Sequence, residues 1–319
     1  MKQLALFSFT FLSLLLVAGP SLTAQEKYTL KKGYAPGQYD RVTEVISVST
    51  STISGHPFTS KETQMQYVTV DAAEKNADDT QNVTAEITRM TSSANGGNVH
   101  DSANVNDSEA LWFGLFIGLK VTTLYDQDSH PIKSEGGEEH FKKLMADPKY
   151  TSPDYIKEMV KGKKLGMTDF ESGQITADLQ GEPFDLSRIK MPKTPVAVGE
   201  TWKTEYYWQT YYGQTMDEEY KIKVHKFQVE NTLTEVKTEN DRKIAIIVSK
   251  TEGSAKGVVC AAAIVNQDFR VETITWLDIE SHLILKSISN MESEKEMVAP
   301  FKQKSSHKIK TTVTQTPKQ

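Results

Sequence analysis

The chain has 319 residues, with 37 Lys or Arg against 42 Asp or Glu for a net charge of -5 at pH 7, 9% aromatic residues and one cysteine. So mild an acidity gives no reason to expect nucleic acid or an anionic membrane surface as a partner. A single cysteine excludes an internal disulfide, so the stability of an exported chain must come from its core.

The first residues place Lys2 ahead of an apolar stretch from about Leu4 to Ala18, followed by Gly19-Pro20 and a small residue at Ala24. This is the pattern of a signal peptide over residues 1–24. The apolar run falls short of the roughly 20 residues that span a bilayer, and a helix breaker ends it. No cysteine follows it, which excludes a bacterial lipoprotein. Cleavage leaves 295 residues (319 minus 24) with 36 basic and 42 acidic side chains. The expected destination is the periplasm, cell envelope or extracellular space, with no integral membrane segment left after cleavage.

Past the signal, most of the chain alternates with a period of two, the mark of antiparallel strands with a polar outer face. "DAAEKNADDTQ" from Asp71 to Gln81 lacks apolar periodicity and reads as a hairpin loop. "NVTAEITRM" then puts Val83, Ala85 and Ile87 on one face, and Asn95-Gly96-Gly97, Gly136-Gly137, Gly253 and Gly257 mark turns. "EALWFGLFIGLK", Glu109 to Lys120, is too short to cross a membrane and suits a short helix tucked into the sheet or, in the reading favoured here, a buried strand entering the next hairpin. In a half-barrel carrier it would line the cavity through residues such as Trp112 and Phe116.

Two short helices break the pattern, one from Glu138 and one from Ser152, the latter with Ser152 as N-cap, Pro153 in its first turn and Gly162 at its end. Three prolines between Pro183 and Trp202 predict extended linker or edge structure. "TWKTEYYWQTYYGQTM" follows, and alternation puts Tyr206, Trp208 and Tyr212 on one face and Tyr207 and Tyr211 on the other. "RKIAIIVSK" puts Ile244, Ile246 and Val248 on one face, and "SHKIKTTVT" does so with His307, Ile309, Thr311 and Val313. Cys260, among small apolar residues and with no acid or histidine beside it, reads as a buried, inert thiol.

One segment is written twice. Aligning Asp126 with Asp278 also matches Thr123 with Thr275, Ser129 with Ser281, His130 with His282 and Ile132 with Ile284. The expected fold is therefore mainly β, a β-rich α+β arrangement of two related antiparallel β-modules, sandwich or half-barrel, with a small helical insert. The boundaries are 25–137 for the first module, 138–182 for the insert and 183–319 for the second.

These residues resemble known proteins. "MPKTPVAVGETWKTEYYW" is similar to the P-x-x-P-V-x-V-G-D/E-x-W stretch of a family of uncharacterised exported bacterial proteins of Bacteroidota type, known as a domain of unknown function. "FIGLKVTTLYDQDSHPIKSEG" resembles a hairpin of that family, with Ser129-His130 where the family usually has glycine. "TWLDIESHLILKSIS" is similar to one hairpin of the lipoprotein-carrier (LolA-like) half-barrels. The first resemblance implies an exported protein without assigned activity, and the second implies a carrier of lipid or another hydrophobe.

The Ser-His pairs beside acids invite a catalytic reading, but adjacent strand residues point to opposite faces and cannot serve as nucleophile and base. His130 and His282 read instead as hairpin corners, because histidine tolerates positive φ better than branched residues do. Asp126, Asp128, Asp278 and Glu280 read as solvated turn carboxylates, since neither copy supplies the glycine and distal glutamate of a calcium loop. His56, His100, His140, His225 and His307 show no metal-binding spacing, and neither "ANGGN" nor "GLFIGL" is a phosphate cradle. No cofactor or metal is expected. The candidate ligand-binding residues are the aromatics Trp202, Tyr206, Trp208 and Tyr212, with Trp112 and Phe116. Together these features predict a non-enzymatic binding or interaction protein whose partner is a hydrophobic ligand or an envelope protein. The alternatives are a half-barrel carrier and, more remotely, a hydrolase.

Overall fold

The structure is a computed structural model that describes residues 25–53, 56–104, 113, 116–129, 131–146, 190–212, 221–260, 263–299 and 303–318. Its strands are β1 (Lys27–Tyr28), β2 (Gly37–Ile53), β3 (His56–Ala72), β4 (Gln81–Ala94), β5 (Val99–Asp101), β6 (Lys120–Tyr125) and β7 (Pro131–Glu135). Helix α1 (Gly137–Ala146) follows, then β8 (Val196–Ala197), β9 (Thr201–Tyr212), β10 (Lys221–Glu239), β11 (Arg242–Cys260), β12 (Ala263–Asp278), β13 (Ile284–Ala299) and β14 (Gln303–Pro317). The fold is mainly β, as the alternation predicts. The second expected helix, from Ser152, lies outside the described residues, as do His130 and Trp112.

β1 and β8 form a two-stranded sheet, and a 12-stranded sheet runs in the order β7-β6-β4-β3-β2-β14-β13-β12-β11-β10-β9, with β5 beside β4. All its ladders are antiparallel, and β14 from the chain's end pairs with β2 from its beginning, so both expected modules contribute to one continuous sheet.

Turn chemistry sets the hairpins. Asp79 (φ 61) closes the 71–81 loop, and Asn95 and Gly96 (φ 51 and 70) make the expected tight turn. Asn240 and Asp241 carry consecutive positive φ values of 50 and 61, the two-residue reversal that matches strand twist, between β10 and β11.

The two faces differ in kind. Rows of alternating charge cover one, with Lys250 to Glu272 at 3.1 Å, Lys308 to Glu292 at 2.8 Å and Arg270 to Glu252 at 3.6 Å. The other, called here the inner face, carries the buried clusters. The first holds Tyr39, Val68, Val70, Val83, Ile87, Leu119 and Leu283. The second joins Leu30, Val196, Leu233, Ala245, Ile247 and Leu277, and the third Phe227, Val229, Phe269, Val271 and Met291.

Two expectations are corrected. In β11 the inward residues are Ala245, Ile247 and Ser249, whereas Ile246 and Val248 lie half-buried on the other face. There they pair with Trp276 and Ile274, and Lys286 sits 5.4 Å from the Trp276 ring. Ile244 to Val248 is apolar throughout, so alternation could not select its inner side. The described residues of the run before β6, Phe113 and 116–119, are not in a strand. Phe116 N–H donates to Phe113 O, Leu119 N–H to Phe116 O, and Gly118, at φ 78, donates to Ile87 O. The run turns tightly and buries Phe113 and Leu119 in the core.

Gly253 and Gly257, expected at turns, lie within β11, and Gly253 shows how closely the inner face is packed. The Phe227 and Phe269 rings meet edge to face across it, centroids 4.7 Å apart at 83°, and a Cβ there would run into the Phe227 ring and lie 2.8 Å from Phe269 Cζ. Gly253→Ala should therefore destabilise the protein by ~1–3 kcal/mol, read as a lower urea midpoint at unchanged m, with Phe227→Leu in the same chain restoring part of the loss. An unshifted midpoint would refute this packing.

Candidate functional site

The inner face between β9 and β14 is built from cross-strand rows, because antiparallel pairing sets every second residue beside its counterpart. One row runs Asn231, Ser249, Thr273, Ser289 and Thr311. Its polar groups satisfy one another: Ser249 Oγ donates to Asn231 Oδ1 (2.7 Å), Asn231 Nδ2 to Thr204 Oγ1 (3.0 Å), and Thr273 Oγ1 to Ser289 Oγ (2.9 Å). Toward the opposite strand ends lies the apolar patch of Phe227, Val229, Phe269, Val271 and Met291, with Ile309 against it.

Beyond the patch the face becomes polar again. Ser293 pairs with His307, and Lys295 pairs with Ser305 and with Gln267. Ser305 Oγ and His307 Nε2 share a hydrogen bond of 3.2 Å. Burial, and then the nearby Lys295 cation, pushes the His307 pKa down, which favours a neutral imidazole.

The aromatic strand joins this face. Register sets Tyr206 opposite Phe227 and Trp208 opposite His225, so the even-numbered positions of β9 share the inner face. Trp202 is half-buried against the Leu30 and Leu277 cluster, and its Nε1 donates to Lys190 O (3.2 Å). Phe116 packs with Val70 and Leu119 in the first cluster. By register Tyr206 and Trp208 occupy strand positions beside Phe227 and His225, Tyr212 lies further along β9 opposite Lys221, and Phe116 and Trp202 belong to different clusters. Sequence reading missed Phe227, Phe269 and Met291, although the alternation of "DFRVETITWLD" carried the signal for Phe269.

The repeated corners have a structural role. Asp278 Oδ1 accepts from the backbone N–H of Glu280 (3.0 Å) and Ser281 (3.2 Å), and Asp126 Oδ1 accepts from Asp128 N–H (2.9 Å). Asp278 is not a solvated carboxylate, as the sequence suggested, but is 3% exposed with Arg242 3.9 Å away. His282 takes φ 63, the left-handed corner expected of it, while in the other copy Ser129 takes φ 60. Both corners grip one segment: Ser129 Oγ donates to Lys32 O (2.6 Å), and Gly33 N–H donates to His282 O (2.8 Å).

On the charged face, one groove of about 590 Å³ crosses Lys203, Glu230, Lys250 and Glu272, and another of about 860 Å³ crosses Glu252, Arg270, Glu292 and Lys308. Among the described residues no group of His, Cys, Asp and Glu is placed to hold a metal ion, and no helix is long and apolar enough to cross a membrane.

No protein-family model matches the chain, and no curated protein sequence matches it significantly. Among solved structures it is similar to one described as "Lipid-protein interactions in lipovitellin", with 9% sequence identity and a TM-score of 0.39. The match covers 88% of this chain and 25% of that one, so the chain spans about a quarter of its length.

His282 supplies a pH test. Burial first, then Lys31 and Lys75, lowers its pKa from 6.5 against the opposing pull of Asp278. The unfolded chain therefore binds this proton more readily than the folded one, so the contribution to stability is intact above pH 6.5 and is lost as pH falls through the lower folded value. His282→Asn keeps a residue that tolerates the corner and should shrink the drop in Tm between pH 7.5 and pH 5. An undiminished drop would show that the corner does not titrate in this way.

Proposed function

We propose that the protein is an exported, non-enzymatic binding protein that holds a hydrophobic molecule against the inner face of its sheet. The observation that carries this is the coincidence of the Phe227, Phe269 and Met291 patch with the aromatic strand β9 in one register. Large aromatic and apolar surface bordered by a few placed polar groups is what small-molecule sites generally offer. The half-barrel form of the reading is supported by the meeting of the β6–β7 and β12–β13 corners at Gly33, which a flat sheet would hold apart.

Export rests on the signal-like residues 1–24. Chain beyond that point is tied into the fold at once: Gln25 Nε2 donates to Val198 O (2.6 Å), and Lys27 and Tyr28 pair with Ala197 and Val196. Docking of another envelope protein is a second reading, favoured by the grooves between charged rows on the outer face.

Native mass spectrometry of residues 25–319 purified from the native envelope, followed by denaturing extraction, separates the two. A co-purifying hydrophobe in near-stoichiometric amount is the expected result. A clean unliganded mass would instead favour the outer face and a protein partner.

A further inference from the structure

Ser293 is an anomaly in an otherwise satisfied sheet. It is 4% exposed, yet its Oγ has no hydrogen-bond partner; among the described residues only Thr43 Oγ1 shares that state. Leaving a buried hydroxyl unpaired costs the full desolvation of that group, so a native protein that keeps one invites the question of what completes it. The surroundings narrow the answer. Ser293 and Lys295 on β13 face His307 and Ser305 on β14 as two directly opposed pairs, all on the inner face. Lys295 is half-buried and makes no ion pair with a described residue. A carboxylate on the same face, Glu62, lies two strands past Ile309 and accepts a hydrogen bond from Gln64.

The block is thus rich in donors and carries one cation that has no ion pair among the described residues, and it adjoins the patch of Phe269, Met291 and Ile309 at one strand step. We infer that Ser293, Lys295, Ser305 and His307 form the headgroup site for an anionic amphiphile, a single-chain carboxylate or phosphate whose hydrocarbon tail lies along Phe227, Phe269, Val271 and Met291. The inference rests on the proposed hydrophobe-binding function and specifies its ligand. Lys295 supplies charge, Ser293 Oγ donates to an acid oxygen and so gains its missing partner, and the Ser305–His307 pair fixes the opposite side. A charge-assisted hydrogen bond is roughly twice as strong as a neutral one, so the headgroup should discriminate acids from alcohols of equal chain length.

The test is calorimetric titration of the full mature chain, stripped of lipid, with palmitate, hexadecyl phosphate and hexadecanol. At least one acid should bind about 10-fold or more tighter than the alcohol, and the tighter acid identifies the headgroup class. Lys295→Met should bring that acid to the affinity of hexadecanol while leaving hexadecanol unchanged, and Ser293→Ala should weaken the acid several-fold. Acids and alcohol of equal affinity in the native protein, or a Lys295→Met variant that still discriminates, would overturn the headgroup site and leave hydrophobe binding standing. Failure of all three probes to bind would overturn both.

Discussion

The architecture depends on one convergence, the meeting of two hairpin corners on the backbone of Lys32 and Gly33. β6 and β13 are five strands apart in the sheet, about 24 Å along a flat one at ~4.8 Å per strand. Yet a Cβ on Gly33 would lie 3.3 Å from Ser129 Oγ and 4.0 Å from His282 Cβ. The sheet reaches that geometry only by curling. The segment that holds it spans two of the clusters, with Leu30 buried among Leu233 and Leu277, and Tyr34 packed against the Tyr39 and Val70 cluster. Arg41, buried on β2, fastens it further by donating to Tyr34 OH (2.7 Å) and to Gln315 Oε1 (3.0 Å). Leu283, just past the second corner, completes the first cluster. Closure at this end is therefore a matter of packing and backbone hydrogen bonds together.

Curling has a consequence for the two faces. The face turned inward must be desolvated, so its polar residues have to satisfy one another, as the Asn231, Ser249, Thr273 and Ser289 row does. The outward face keeps its long charged side chains in water, where ion pairs between exposed residues contribute little stability and mainly maintain solubility. The apolar patch and the donor block beyond it lie toward the strand ends away from the closing corners. The patch thus lies between two polar rows, the mutually satisfied one nearer the corners and the donor block beyond it.

Much of this was legible locally. Positive φ at His282 follows from a corner between two strands, and the turn at Asn95-Gly96 from its dipeptide; the face of β14 follows from strict alternation over His307 to Val313. Where the pattern was ambiguous the reading failed. Ile244 to Val248 offers apolar residues to both faces, and the run before β6 is as apolar as a strand but turns, because Gly118 takes a positive φ that a strand does not use. Asn240-Asp241, two residues that tolerate positive φ, is a local turn signal of the same kind as Asn95-Gly96. Asp278 looked like a solvated carboxylate because nothing in its neighbourhood announces that the loop's own N–H groups will enclose it.

The sequence by itself determined the strand periodicity, the turns and the aromatic content of β9, because these depend on contacts between residues a few positions apart. Only the tertiary structure decided that β2 pairs with β14, that Ser129 and His282 meet at Gly33, and that Ser293 is buried opposite His307. Those outcomes depend on strand order and on the curl of the whole sheet, which bring together residues that no local pattern connects.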